Sequence, residues 1–342
     1  MQDDLSAHRP LVSIIIVNFN GKEHVLACLH SVLAQPYRNH EVIVVDNGSI
    51  DDSVAEIRKS FPSVRVIVND ENAGFAEANN QGVRQAAGEF IILLNNDTVV
   101  ENGWVEGLLG ELEDPQVGAV TSKVITEEVP QRFYEMNGTI NYLGYNIMRH
   151  FRDTGRVFFG GGASLAFRKA LAPQPFLPEY FLYHEDVFLS WFLRLKGFDI
   201  RMAQASVVRH VGSASTKRHP SAFVTFYQER NRLLNSLLLY SARTLWLLGP
   251  WLAMDAIAKI AVSMTGRGKS FVGIVKAYSW VIGHLSWVRM MRQNLQSCRT
   301  VPDATILSLM STKILEGEGR ISNLANRLSA WYATMTGLAP HE

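Results

Sequence analysis

Cysteine is nearly absent: Cys28 and Cys298 are the only two in 342 residues. Far apart in sequence, they offer neither a disulfide scaffold nor enough thiolates for a structural zinc site, and they predict free thiols in a reducing compartment. No stretch of about 18 or more apolar residues runs without a charge, which argues against an ordinary membrane-spanning helix. The polar residues 1–10 predict no export signal. An excess of one charge is missing as well. With 33 basic and 32 acidic side chains the net charge is +1, which leaves no basic surplus of the kind a nucleic acid partner requires. Hydrophobic residues at 47% and charged residues at 19% exclude a disordered or collagen-like chain. No repeat or low-complexity tract is seen, and the length suits about two domains at roughly 100–200 residues each.

What is present is a rhythm. Residues 11–17 (LVSIIIV) and 42–45 are short, β-branched apolar runs that fit strands buried on both faces, and 64–68 and 90–94 read as two more strands. Between them, 24–34, 51–61 and 76–87 show helical spacing, the second with Asp51 or Asp52 as its cap. Strand–helix alternation implies an α/β fold with a mainly parallel sheet flanked by helices. Ligands then bind beyond the carboxyl ends of the strands. The polar clusters there are Asn18-Phe19-Asn20, Asp46-Asn47-Gly48-Ser49 and Asn95-Asn96-Asp97, and they read as one site. The pattern is mixed from about 117 to 215, with a helix near 187–196. Beyond 221 only helical segments follow.

Four constellations carry chemistry. Asp97, after the strand FIILL, can hold a divalent cation through hard oxygen ligands, although an aspartate there is more often a plain turn. His184-Glu185-Asp186 opens a helix. Its acids can cap that helix, or one can serve as a general base. His210 can complete a metal site begun by Asp97, against the commoner role of an ordinary polar residue. Gly160-Gly161-Gly162 permits close backbone approach to a ligand. No Gly-Lys-Ser/Thr follows it, and the first strand leads into no Gly-x-Gly-x-x-Gly, so neither a P-loop nor a dinucleotide fingerprint is present.

The order of these pieces is more specific than any one of them. VSIIIVNFN (12–20), EVIVVDNGSIDDS (41–53), NAGFAEANNQG (72–82), GEFIILLNNDTVV (88–100), FLYHEDVFLSWFLRLKG (181–197) and HVGSAS (210–215) resemble the family 2 glycosyltransferases of GT-A fold over roughly the first 215 residues. The GFAEANNQG and HED forms are most similar to bacterial rhamnosyltransferases of surface-polysaccharide assembly. The resemblance implies that Asp46 contacts the nucleotide base, with Phe19, Asn20, Asn47 and Gly48 walling the base and ribose. Asn72, Gly74, Phe75 and Asn79 would run past the nucleotide and donor sugar. Asn95, Asn96 and Asp97 stand for the family's Asp-x-Asp, with Asp97 and His210 at Mg2+ or Mn2+. Gly161, Gly162 and Ala163 would lie beneath the donor sugar, and Asp186 would be the catalytic base, supported by Glu185. Two departures stand out: Asn95 removes one charge from the Asp-x-Asp, and Ile50 replaces a threonine.

The implied reaction is inverting transfer of rhamnose or another hexose, from dTDP-rhamnose or a UDP-hexose, to a glycan or lipid-linked acceptor. A nucleotidyltransferase would want a Gly-rich, basic first loop, whereas here the loop is Asn18-Phe19-Asn20-Gly21-Lys22. A non-catalytic nucleotide-sugar binder is the other alternative, disfavoured because Asp46, Asp97, Asp186 and His210 are all present. The expected division is a catalytic domain, 1–215, and a helical region, 216–342, that associates with membrane, builds a homodimer or packs on the catalytic domain. Residues 1–215 hold 18 basic and 26 acidic side chains, a balance of −8, while 216–342 hold 15 and 6, a balance of +9. A basic, Leu- and Trp-rich region fits an anionic membrane surface, so the expected location is cytoplasmic and peripheral at the inner face of the plasma membrane. Pro250 is expected to kink or end a helix there.

Overall fold

The computed structural model describes residues 9–126, 138–147, 157–210, 221–266, 268–315 and 319–338. The 215/216 boundary, Arg267 and residues 211–215 of the HVGSAS motif lie outside the described residues. In chain order the strands are β1 Val12–Asn18, β2 His40–Asp46, β3 Arg65–Val68, β4 Phe90–Asn95, β5 Thr98–Val100, β6 Val117–Thr126, β7 Thr139–Ile140, β8 Asn146–Ile147, β9 Ser164–Arg168 and β10 Asp199–His210. The first five helices are α1 Lys22–Leu33, α2 Ser53–Ser60, α3 Gly74–Gln85, α4 Trp104–Leu112 and α5 Glu185–Leu195. Six more follow: α6 Ser221–Leu239, α7 Ala242–Met264, α8 Phe271–Gly283, α9 Leu285–Ser297, α10 Asp303–Leu307 and α11 Arg320–Thr336. The chain folds as two compact units: Met1–Met136 with Gly160–Phe181 and Ile200–Gly212, and Asn137–Phe159 with Leu182–Asp199 and Ser213–Glu342.

The first unit is built on an eight-stranded sheet of order β3-β2-β1-β4-β9-β6-β10-β5. β1 pairs in parallel with β2 and β4, and β2 with β3, while β9 runs antiparallel to β4 and β6. The apolar runs read from sequence are the parallel strands; β1, β2 and β4 are largely buried, as their lack of alternation requires, while β3 at the sheet edge is partly exposed. Val12, Ile14 and Ile16 meet Val25, Leu29 and Val32 of α1 and Trp104 and Leu108 of α4 in one core. Each large apolar side chain fully buried there contributes about 1.5–3 kcal/mol. On the opposite face α3 approaches so closely that a Cβ on Gly82 would stand 2.4 Å from Ile15 Cγ2. The cap of α2 differs from expectation. Asp52 occupies the cap position with left-handed backbone and no side-chain bond, while Asp51 accepts from the Ser53 amide at 3.3 Å and the Lys22 amide at 2.9 Å.

Among its described residues, the second unit's regular elements are helices apart from the β7–β8 pair and the first residue of β10. α6 is its axis and packs on α5, α8 and α9. It buries four consecutive polar residues, Glu229, Arg230, Asn231 and Arg232. Pro250 does not end a helix: α7 continues through it for 23 residues. By length and composition α7 could cross a membrane, although Asp255 and Lys259 interrupt its apolar sequence.

Candidate active site

In the first unit the ends of β1, β2 and β4 are tied into one polar network. Asn18, fully buried at the end of β1, donates its amide to Asp46 Oδ2 at 2.8 Å and to Ser49 Oγ at 3.2 Å. Its Oδ1 accepts from Asn96 Nδ2 at 2.8 Å. The second oxygen of Asp46 accepts from the Ser49 amide at 2.8 Å. Ser49 Oγ accepts from the Asn20 amide at 2.8 Å, and Asn20 Oδ1 accepts from the Ile50 amide at 2.9 Å. Asn20 takes a left-handed φ of 49° and Gly48 one of 78°. The neighbouring Phe19 projects outward, 41% exposed, and Ile50 is 91% exposed. The loops after β1 and β2 thus brace each other and leave an aromatic face in solvent.

The α3 start joins the same network. Asn47 donates to the Gly74 carbonyl at 3.2 Å and accepts from Asn69 at 2.9 Å. Asn72 Oδ1 accepts the Gly74 amide at 2.9 Å. Gly74 has φ of 84°, and a Cβ there would stand 2.5 Å from the Phe181 ring, so only glycine fits. Asn79 is buried and turned onto its own helix, donating to the Phe75 carbonyl at 2.8 Å. Phe75 lies 6.4 Å from Phe176, ring to ring.

Beyond β4, Asp97 and His210 are brought together, Oδ1 to Nε2 3.2 Å, with both side chains largely buried. Pairing of β5 with β10 sets His210 opposite Thr98. Gly161 and Gly162 precede β9, and the Asn95 amide donates to the Ala163 carbonyl at 3.1 Å, which ties the glycine stretch to the Asn95-Asn96-Asp97 turn. The carboxylate oxygen of Asp97 suits Mg2+ or Mn2+, and the imidazole nitrogen beside it favours Mn2+ over Mg2+. Among the described residues no group of three or more His, Cys, Asp or Glu comes together. A cation held here would therefore complete its shell with water and substrate oxygens.

In the second unit the acid pair begins α5. Tyr183 and His184 both take left-handed φ, 70° and 65°. This turn is held by α6: Asn231 donates to the carbonyls of Leu182 at 2.9 Å and Tyr183 at 2.7 Å, and Asn235 to that of His184 at 3.2 Å. Burial, with the Asp186 charge beside it, pushes Glu185 up to about 8. Burial and the nearby Arg232 and Lys269 push His184 down to about 4. Near neutral pH, then, His184 is uncharged and Glu185 holds its proton. Asp186 Oδ1 accepts the Val187 amide at 2.7 Å.

Residues 13–173 match the family described as Glycosyl transferase family 2. This matched segment, just under half of the chain, is similar to that family. Over 114 residues it is 32% identical to glycosyltransferase GlyG of Streptococcus pneumoniae, spanning 32% of this chain and 38% of that protein. Over 195 residues it is 28% identical to poly-β-1,6-N-acetyl-D-glucosamine synthase of Staphylococcus aureus, spanning 56% of this chain and 47% of the relative. The matched segments thus cover less than half of either protein. Among solved structures, the fold is shared with the mannosyltransferase PcManGT from Pyrobaculum calidifontis in complex with GDP-Man and Mn2+. That pair has a TM-score of 0.52 at 18% identity over 85% of this chain and 86% of that one. It is shared also with S. aureus TarS 1–349, TM-score 0.53 at 14% identity over 96% and 89%. The α/β architecture is that of the GT-A glycosyltransferases.

Asn20, Asp46, Asn47, Asn72, Gly74 and Asn96 fall into one hydrogen-bonded neighbourhood with Phe19 and Gly48 in its loops, and Asp97 pairs with His210, which lies beyond the matched residues 13–173. Asn18, read from the sequence as one member of a polar cluster, is the hub of the first network. Two features were not anticipated. Asn69 links Asn47 to Gln81. Asn231 and Asn235, spaced i, i+4 in an apolar helix, had the spacing of one face but no motif.

Proposed function

We propose that this chain is an inverting glycosyltransferase that moves a hexose from a nucleotide diphosphate donor to an acceptor hydroxyl. The observation that carries the reading is the Asp97–His210 pair beyond β4, in a unit whose β1 and β2 loops are locked by Asn18 and Asp46. The strand-end network forms a rigid wall for the nucleotide, with Phe19 available to a base face. Asp97 and His210 would hold a divalent cation, which when bound would offset the charge on the departing diphosphate. The bond from the anomeric carbon to the diphosphate oxygen breaks as the acceptor oxygen bonds to that carbon. Asp186 takes the acceptor proton, and Glu185, protonated in the field of its neighbour, is not a second base. With no carboxylate acting as nucleophile, the displacement is single and inverts the configuration.

The resemblance of GFAEANNQG and HED to rhamnosyltransferases places dTDP-rhamnose first among donors and UDP-hexoses second. The acceptor is a growing surface glycan or a lipid-linked sugar, used at the cytoplasmic face of the membrane. The test is a panel of nucleotide sugars with Mg2+ or Mn2+, scored by product. Release of nucleoside diphosphate is expected. Release of pyrophosphate from a nucleoside triphosphate and a sugar phosphate would establish a nucleotidyltransferase instead, and failure of every nucleotide sugar to bind would leave a non-catalytic role.

A further inference from the structure

The second unit exposes an unusual combination of surfaces. The outward stripe of α7 includes Trp246, Met254, Ile257 and Met264, exposed by 83%, 51%, 68% and 72%. Its neighbour α11 joins it through the Tyr332 hydroxyl, which donates to the Leu247 carbonyl at 2.7 Å, and through the Trp251 and Tyr332 rings, 5.9 Å apart. α11 carries an apolar stripe of its own: Leu324, Leu328, Trp331 and Met335, all at least half exposed. At the corner between α8 and α9, bent by 72°, Ile282 and Leu285 stand in solvent as well.

Among the described residues, the exposed charges of this unit from 221 to 338 have one sign. Among the described residues from 221 to 338 the carboxylates are Glu229, Asp255 and Asp303, and each is turned inward onto cations. Glu229 meets Arg232, Lys259 and Lys269. Asp255 meets Arg232 and Lys259, and Asp303 meets Arg299. The exposed ions left over are basic, among them Arg243, Lys276, Arg289, Lys313, Arg320 and Arg327. Exposed apolar stripes on a unit whose exposed ions, among the described residues, are basic are complementary to a bilayer with anionic headgroups, where rings and aliphatic side chains enter the acyl boundary and the cations stay at the phosphates. Against a second copy of the same face, like charges would meet.

We propose that the second unit docks on an anionic lipid surface through α7, α11 and the α8–α9 corner, lying in the membrane plane and not across it. The proposal gives a surface and a lipid chemistry to the membrane location read above, and rests on no assumption about the sugar. α7 is about 34 Å long at 1.5 Å per residue, close to the hydrocarbon thickness of about 30 Å. Its polar side fixes the orientation. Asp255 accepts from Tyr145 at 2.8 Å and pairs with Arg232 at 3.1 Å, and Lys259 binds Glu229 of α6. Threading α7 upright through a bilayer would strip Asp255 and Lys259 of these partners and bring them into hydrocarbon. Lying flat, the helix keeps every pair and immerses only its apolar stripe.

The test is cosedimentation of the full-length chain with vesicles of phosphatidylcholine alone or with added phosphatidylglycerol, at low and high salt. Strong binding to the anionic vesicles is expected, at least tenfold weaker without the anionic lipid. The pair Ile257→Glu and Trp331→Glu should lose binding by at least tenfold while far-UV circular dichroism and nucleotide-sugar turnover stay at wild-type values. Lys276→Glu with Arg327→Glu should erase the preference for phosphatidylglycerol. No sedimentation at low salt, binding unaffected by the Ile257 and Trp331 substitutions, a dimer that buries the same face, or retention of the bound chain through carbonate extraction would each overturn the proposal. Lipid binding is scored without a glycosyl acceptor, so its failure is separate from failure of the transferase reading.

Discussion

Asp46 illustrates how a motif residue can serve the scaffold. Both of its oxygens accept hydrogen bonds inside the protein, from Asn18 and from the Ser49 amide, and the side chain is fully buried. Asp46→Ala would strand these donors, so a loss of about 2–3 kcal/mol in the urea unfolding free energy is expected, together with weaker donor binding. Asp46→Asn should recover part of the stability only, because its amide nitrogen must face a donor. The acid pair makes a different prediction. Glu185 is raised from 4.5 to about 8, so the folded state binds an extra proton between those values, and its contribution to stability is lost as pH rises. His184 is lowered from 6.5 to about 4, which makes stability rise with pH over that lower window and end near 6.5. From pH 6.5 to 8 Glu185 alone of this pair acts and should remove about 1.5 kcal/mol. Melting temperatures across that window should fall more steeply for wild type than for Glu185→Gln; parallel curves would contradict the assignment.

Among the elements, α3 and α6 do the positioning. Alanine ordinarily favours a helix over glycine, but a Cβ at Gly82 would stand 2.4 Å from Ile15. Gly82→Ala is therefore expected to destabilise by about 1–3 kcal/mol, with the packing clash outweighing helix propensity; a rise in the melting temperature would refute it. On α6, Asn231 and Asn235 hold three successive carbonyls just before the acid pair. Asn231→Asp retains the size but replaces a donor with an acceptor facing two carbonyls. It should unfold at lower urea than Asn231→Ala and lower kcat by at least about tenfold with donor KM little changed. The strands and helices of the first 100 residues were legible because β-branched runs and helical spacing are local signals. The α6 asparagines were not, since polar residues within a helix look like a solvated face until the helix is seen to be buried. Of the two outcomes expected at Pro250, a kink or an end, the helix does not end there: a proline removes one internal bond and crowds one turn, and α7 continues through it.

Over the whole molecule, the net charge of +1 is the cancellation of −8 and +9. The split was visible in the sequence, as was the order of motifs that placed Asp46, Asp97, His210 and the HED acids. Hidden from it was how those residues are satisfied: which oxygen accepts which amide, and that the described carboxylates beyond residue 221 turn inward while basic groups are exposed. Such facts depend on contacts between residues distant in sequence, which composition and periodicity do not report. Metal dependence, proposed on the Asp97–His210 pair, has a direct check: chelation with EDTA should abolish donor turnover and Mn2+ restore it, and Asp97→Ala should bind donor equally with and without Mn2+. The most direct test of the account is the turnover of Asp186→Asn with a nucleotide-sugar donor, Mn2+ and an acceptor, with folding verified by circular dichroism. A fall of at least about a hundredfold in nucleoside diphosphate release, with donor binding retained, is the predicted result; near wild-type turnover would contradict it.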